Sequence, residues 1–155
     1  MASGRNHDRS IYFTSPIIAA VASYHAGLEL GLITGAAHLL GGLLLSPDLD
    51  LVSRPFKRWG FLKIIWVPYQ QLIPRHRHWL SHGVIVGSAL RLIYLAAWLS
   101  PLLLTSPLSR VHLDSVSVAR AIALFCGVEL SAINHLLLDG LLVPLPLAVK
   151  NRLKS

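Results

Sequence analysis

Apolar residues run almost unbroken over three stretches of the chain. Residues 17–45 (IIAAVASYHAGLELGLITGAAHLLGGLLL) contain no Lys or Arg and suffice for one tilted span, or for two short helices broken at Gly27, Gly31 or Gly35. Residues 83–107 carry Arg91 as their only formal charge, and residues 121–149 carry Glu129, His135 and Asp139. Pro101, Pro107 and Ser109 mark the turn out of the second stretch; Pro144 and Pro146 predict that the third ends as a helix near Leu142. No alternating pattern suggests a strand, and nothing repeats. The pattern predicts an all-α fold: a small helical integral membrane protein with three to four membrane helices, in one domain over residues 1–155 with a polar segment at 1–15.

Between the first two stretches, residues 46–82 are basic and aromatic. They hold Trp59, Trp66 and Trp79, three of the four tryptophans, together with Arg54, Lys57, Arg58, Lys63, Arg75 and Arg77. Aromatic rings mixed with cations suit the headgroup level of a bilayer. Phe56–Val67 is therefore expected as one interfacial helix stopped before Pro68, with Phe61, Ile64 and Ile65 facing acyl chain; a packed loop is the alternative. With three spans, the positive-inside rule places 46–82 and the C-terminus in the cytoplasm and the N-terminus outside. A hairpin within residues 17–45 would instead return the N-terminus to the cytoplasmic side. Glu29 and His25 fit a retained first segment better than a cleaved signal peptide.

Composition agrees with this reading. Of 155 residues, 54% are hydrophobic and 14% charged, more apolar than an ordinary soluble domain. Fourteen Lys and Arg against seven Asp and Glu give a net charge of +7, which alone would suggest nucleic acid. Membrane phosphates explain the same charges, and no helix-turn-helix pattern accompanies them. Cys126 is the only cysteine, so a cysteine-rich zinc site is excluded and any metal must use His, Asp or Glu.

Five of the seven carboxylates, Glu29, Asp48, Asp50, Glu129 and Asp139, lie within apolar stretches or at their ends. There an unpaired charge costs about 2.5 to 3.5 kcal/mol. Arg91 can neutralise one; the other polar groups are chiefly imidazoles, and carboxylates with imidazoles in an apolar setting suit a bound cation. Three clusters stand out: Ser46-Pro47-Asp48-Leu49-Asp50, the run from Arg75 through His76, Arg77 and His78 to His82, and His135 with Asp139 at i and i+4. The predicted topology puts all three at one membrane face.

The residues Ser3-Gly4-Arg5-Asn6-His7-Asp8-Arg9, Pro47-Asp48-Leu49-Asp50, Lys57-Arg58-Trp59-Gly60, Pro68-Tyr69-Gln70, Arg75-His76-Arg77, Leu80-Ser81-His82-Gly83, and His135 with Asp139 carry a resemblance over most of the chain. In these the chain resembles a family of small bacterial membrane proteins described as metal-binding, similar in turn to the LexA-binding-type inner-membrane metal-dependent hydrolases. The resemblance implies a metal site with His76 and His82 in one element and Asp48 and Asp50 in another, and His7 matches as well. The expected ligands are thus His7, Asp48, Asp50, His76, His82, His135 and Asp139, with His25, His38 and His78 structural and His112 at the surface. Mixed nitrogen and oxygen donors leave zinc, manganese or iron open as the divalent ion.

As an enzyme, such a protein would be a hydrolase whose cation lowers the pKa of a water, with Asp139 as general base. Arg75, Arg77 and Arg58 would hold a phosphoester, such as a lipid headgroup, at the face of a bacterial inner or internal membrane. The rival reading is a non-catalytic membrane protein whose metal or His/Asp hydrogen-bond network staples the helices. A transporter is the third, and with so few spans it would need an oligomer. Membrane lipids are the expected partners.

Overall fold

The computed structural model describes residues 3–105 and 115–140, and among them every regular element is helical. Helix α1 (Gly4–Ala26) starts at Ser3, whose hydroxyl accepts from the Asn6 N–H. The predicted polar segment at 1–15 is therefore mostly helix. Pro16 lies inside α1 and leaves the Tyr12 carbonyl without its N–H donor. The chain then reverses at Gly27, whose φ of 89° is one that side chains rarely adopt.

Helix α2 (Leu28–Leu44) runs back along α1. A Cβ on Gly31 would lie 2.0 Å from Ser23 Oγ, on Gly35 2.4 Å from Ala19 Cβ, and on Gly42 2.3 Å from Ile11 Cδ1. Descending partners against ascending glycines make the pair antiparallel. Of the two forms allowed for residues 17–45, the broken one holds, and it brings the N-terminus to the end where the 46–82 connection begins.

That connection is not one interfacial helix. A 3-10 turn (Pro47–Asp50) precedes α3 (Arg54–Arg58), a 3-10 stretch (Gly60–Ile65) and α4 (Trp66–Leu72). Gly60, at φ 56°, breaks the predicted Phe56–Val67 helix, and Pro68 sits in the first turn of α4, where no N–H is missed. Phe61 and Ile64 do face outward, but Ile65, expected to do the same, packs against the core, and Trp66 is fully buried. Trp66 packs against Trp59, Tyr69 and Tyr94 at centroid distances of 5.3 to 5.5 Å, beside Leu49, Phe56 and Ile73. This is the core of the molecule, so of the three tryptophans assigned to a headgroup layer Trp66 is interior and Trp59 half-buried against it, while Trp79 is exposed. Trp59 Nε1 and Arg58 Nη1 donate to the Leu44 and Leu43 carbonyls, satisfying the open end of α2.

A short helix α5 (Trp79–His82) leads into α6 (Val86–Thr105), and α7 (Ser115–Leu138) completes the described chain. Pro101 lies within α6 instead of ending it; Pro107, Ser109 and His112 fall outside the described residues. Helix α7 starts six residues before the apolar stretch at 121 and stops at Leu138, earlier than Leu142, because Gly140 at φ 68° turns the chain. Pro144 and Pro146 also lie outside the described residues. α7 runs parallel to α2: a Cβ on Gly127 would lie 2.3 Å from the Thr34 carbonyl, and one on Gly41 2.6 Å from Ser131 Oγ. Two segments, Leu28–Asp50 and Ser115–Leu138, are long and apolar enough to cross a membrane; the apolar run of α6, Val86–Leu102, is shorter.

Candidate metal centre

Four imidazoles stand in a row at the end of the bundle where α1 begins and α2 and α7 finish. His7 stacks on His135 at 4.0 Å between centroids, His135 lies 5.8 Å from His82, and His82 lies 5.0 Å from His76. His7 comes from the first turns of α1, His135 from the last turn of α7, His82 from α5 and His76 from the loop before it. Asp48 and Asp50 reach in from the 3-10 turn, where Ser46 caps the backbone and Pro47 fixes the first residue. Asp139 follows His135 by four residues and shares its face.

These seven side chains form three overlapping triads: His7, His135 and Asp139; Asp48, His82 and His135; Asp50, His76 and His82. Within each triad, one donor atom per residue lies within 4.8 Å of the others. Every residue expected as a ligand is in this cluster. His25 is exposed at the far end of α1, His38 hydrogen-bonds Ser15 Oγ at 3.0 Å, and the His78 side chain caps α5. Those three histidines stand outside the triads, as expected.

The hydrogen bonds around the cluster fix which nitrogens point inward. Ser81 Oγ lies 2.8 Å from Asp50 Oδ2 and 2.8 Å from His82 Nδ1. A hydroxyl has one proton; donated to the carboxylate, it leaves the oxygen to accept from His82 Nδ1–H. His82 Nε2 then carries a lone pair, and it faces Asp48 Oδ1 at 3.6 Å. His135 Nε2 faces the same oxygen at 3.3 Å, with its Nδ1 toward Ser46 Oγ. Neither Nε2 has the alignment of a hydrogen bond, and His7 Nδ1 and His76 Nε2 are likewise buried without a partner. Two imidazole nitrogens converge on one carboxylate oxygen without an aligned hydrogen bond, an arrangement that a cation or a proton between them would hold together. Burial, then the neighbouring His135 imidazole, holds His7 below its ordinary range against the pull of Asp139 and Asp48, which favours the neutral form that ligates. Orphaned imidazole nitrogens beside three carboxylates fit a divalent ion with nitrogen and oxygen preference.

Supporting residues hold this geometry. Arg77, itself at φ 65°, donates from Nη2 to Asp139 Oδ2 at 3.0 Å, and His7 Nε2 lies 3.2 Å from Asp139 Oδ1. Asp139, expected as a spare carboxylate, therefore has both oxygens engaged. Arg58, expected to hold substrate, is bonded to Asp8 Oδ2 at 2.6 Å, while Arg75 is exposed. Fully buried Arg91 donates to the Ser81 carbonyl and to Ser88 Oγ, gripping the turn that carries His82. Its field falls on Glu129 and Asp50, both carboxylates that lacked a partner in the sequence. Glu129 accepts from the N–H of Ile85, a β-branched residue at φ 67°, and so clamps the strained start of α6. The isolated charges of Arg91 and Glu129 were visible in the sequence, but nothing in it tied them to this turn. Glu29 pairs with Arg120 at 2.6 Å at the opposite end.

Among curated proteins, an uncharacterized protein of Aquifex aeolicus (strain VF5) is 45% identical over 62 residues, 39% of this chain; the chain spans 43% of that relative's length. No solved structure matches the chain. The family described as "Uncharacterized metal-binding protein (DUF2227)" matches residues 2–146, nearly the whole chain and every residue of the triads. The chain belongs to this metal-binding family.

Proposed function

We propose that the chain is a membrane-embedded, divalent-metal-dependent hydrolase acting on a phosphoester or lipid-like substrate at the cytoplasmic face. His7, Asp48, Asp50, His76, His82, His135 and Asp139 would hold the ion or ions. The observation that carries the metal reading is the convergence of the His82 and His135 Nε2 atoms, both buried without a hydrogen bond, on Asp48 Oδ1. When bound, a divalent ion supplies Lewis acidity toward a phosphoryl oxygen and lowers the pKa of water. Arg75 and partly exposed Arg77 are the cations at hand to orient an anionic substrate. Asp139, held at Oδ2 by Arg77 and at Oδ1 by His7, would serve as a ligand or take the proton released in hydrolysis only by exchanging one of these contacts.

Membrane embedding is supported by the two spanning-length helices and by the apolar outer faces of α1, α2 and α7, where Ile17, Val21, Leu32, Leu40 and Ile122 are exposed. A second reading, a structural staple, is favoured by the cavity against His7 and His135, which holds only about 10 Å³. A closed shell staples helices, whereas catalysis needs an open position.

The test is metal content per chain by elemental mass spectrometry on protein purified in mild detergent without chelator, beside the Asp48→Ala/His76→Ala variant. Near-stoichiometric metal, lost in the variant, supports the centre, and turnover of a phosphoester panel by the loaded protein supports the hydrolase. Metal without turnover favours the staple. No metal after adding zinc, manganese or iron would overturn both.

A further inference from the structure

On the other side of the first turns of α1, away from His7, lies an open cleft of about 240 Å³ lined by Arg5, Asp8, Arg9, Tyr12, Arg54 and Arg58. Four guanidinium groups share it with one carboxylate, a local excess of three positive charges. Such an arrangement repels itself unless anions enter.

The cleft is organised from beneath. Asp8 is buried; its Oδ2 accepts a hydrogen bond from Arg58 Nη2 at 2.6 Å and forms an ion pair with Arg54 Nη1 at 3.0 Å. One carboxylate oxygen therefore fixes two guanidinium planes, and a second Arg58 nitrogen is tied to the Leu43 carbonyl. Arg54 lies across the start of α1, where a Cβ on Gly4 would come 2.9 Å from its Cδ. Arg5 and Arg9, exposed and one helical turn apart, close the opposite wall. Among the described residues neither donates to any acceptor. No acidic side chain occupies the first turn of α1, so its backbone field adds to the same sign.

We propose that this cleft is a phosphate-binding site, with Arg5 and Arg9 as the mobile jaws that close on the anion and Arg54 and Arg58 as the fixed wall. Its ligand class is a phosphate monoester or diester, carried by a lipid headgroup or free in solution. Forked guanidinium donors match tetrahedral phosphate oxygens better than ammonium groups do. Tyr12 and Phe13, exposed where α1 leaves the cleft, continue it into an apolar face that an acyl chain would cover. The site adds to the metal reading without resting on it, since none of its residues belongs to the triads.

The test uses the full chain as purified in neutral detergent, with calorimetric titration of inorganic phosphate, a short-chain phosphatidic acid and the matching uncharged diacylglycerol. The Arg5→Gln/Arg9→Gln variant is compared with wild type and with Lys57→Gln/Lys63→Gln, which removes the same charge elsewhere in the connection. Metal content is measured on all three. Loss of the arginine pair should weaken phosphate-bearing ligands by roughly tenfold or more, with metal content unchanged and the lysine pair affecting binding by less than about twofold. Tighter binding of phosphatidic acid identifies a headgroup, and equal or tighter binding of inorganic phosphate identifies the free anion. Equal weakening by both pairs would reduce the cleft to a diffuse basic field and overturn the proposal. So would unchanged binding in the arginine variant, which would place the phosphate on the metal centre. Arginine-dependent binding by protein that takes up no zinc, manganese or iron when these are added would sink the metal reading and leave this site standing.

Discussion

His7 links the protonation of one residue to the stability of the whole end of the bundle. Its folded value lies below the ordinary 6.5, so in the acid range the unfolded chain binds more protons than the folded one. The associated stability is complete above about pH 6.5 and declines as the pH falls below it. Metal ligation acts in the same direction, because a protonated imidazole cannot ligate. The melting temperature in detergent should therefore fall on acidification from about pH 7 to about 5. His7→Gln, which keeps a donor near Asp139 and does not titrate there, should show a shallower fall; an identical slope would remove His7 from the linkage. The i,i+4 spacing of His135 and Asp139 was legible in the sequence because helical periodicity alone puts them on one face. The Asp8 partnership with Arg54 and Arg58 was not, since those residues are about fifty positions away and only the folded hairpin brings them together.

At the scale of elements, the α1–α2 hairpin decides whether a complete constellation forms. Its contact depends on glycines whose missing side chains let two backbones approach. At Gly35 a Cβ would stand 2.4 Å from Ala19 Cβ, whereas at Gly60 nothing lies within 4 Å. Gly35→Ala should cost about 1 to 3 kcal/mol by overpacking, lower the melting temperature, and reduce metal content by displacing His7. Gly60→Asn, which keeps a residue tolerant of positive φ, should leave both nearly unchanged. The glycines advertised a break in the first apolar stretch, yet which one turned the chain was not readable, because Gly31 and Gly35 serve packing and only Gly27 serves the turn. The 46–82 connection misled for a related reason. A tryptophan among cations looks interfacial locally, and it is the distant Tyr94, whose hydroxyl donates to the Ile65 carbonyl, that helps make Trp66 a core residue.

At the scale of the molecule, the two ends of the bundle have different chemistry. One gathers seven ligand-type side chains and the arginine cleft; the other has the Glu29–Arg120 pair and exposed Tyr24. In a membrane orientation, reporters fused before Ser3 and inserted among Lys57–Lys63 should give the same sidedness, and one inserted just before Ser115 the opposite. Opposite answers from the first two would contradict the hairpin arrangement of α1 and α2. The His7–Asp139 contact joins positions 132 residues apart. A ribosome must therefore deliver Asp139 before His7 can find this partner. The triad of His7, His135 and Asp139 thus depends on the whole length between them, and a product halted short of α7 would carry His7 without either partner while Asp50, His76 and His82 were already made.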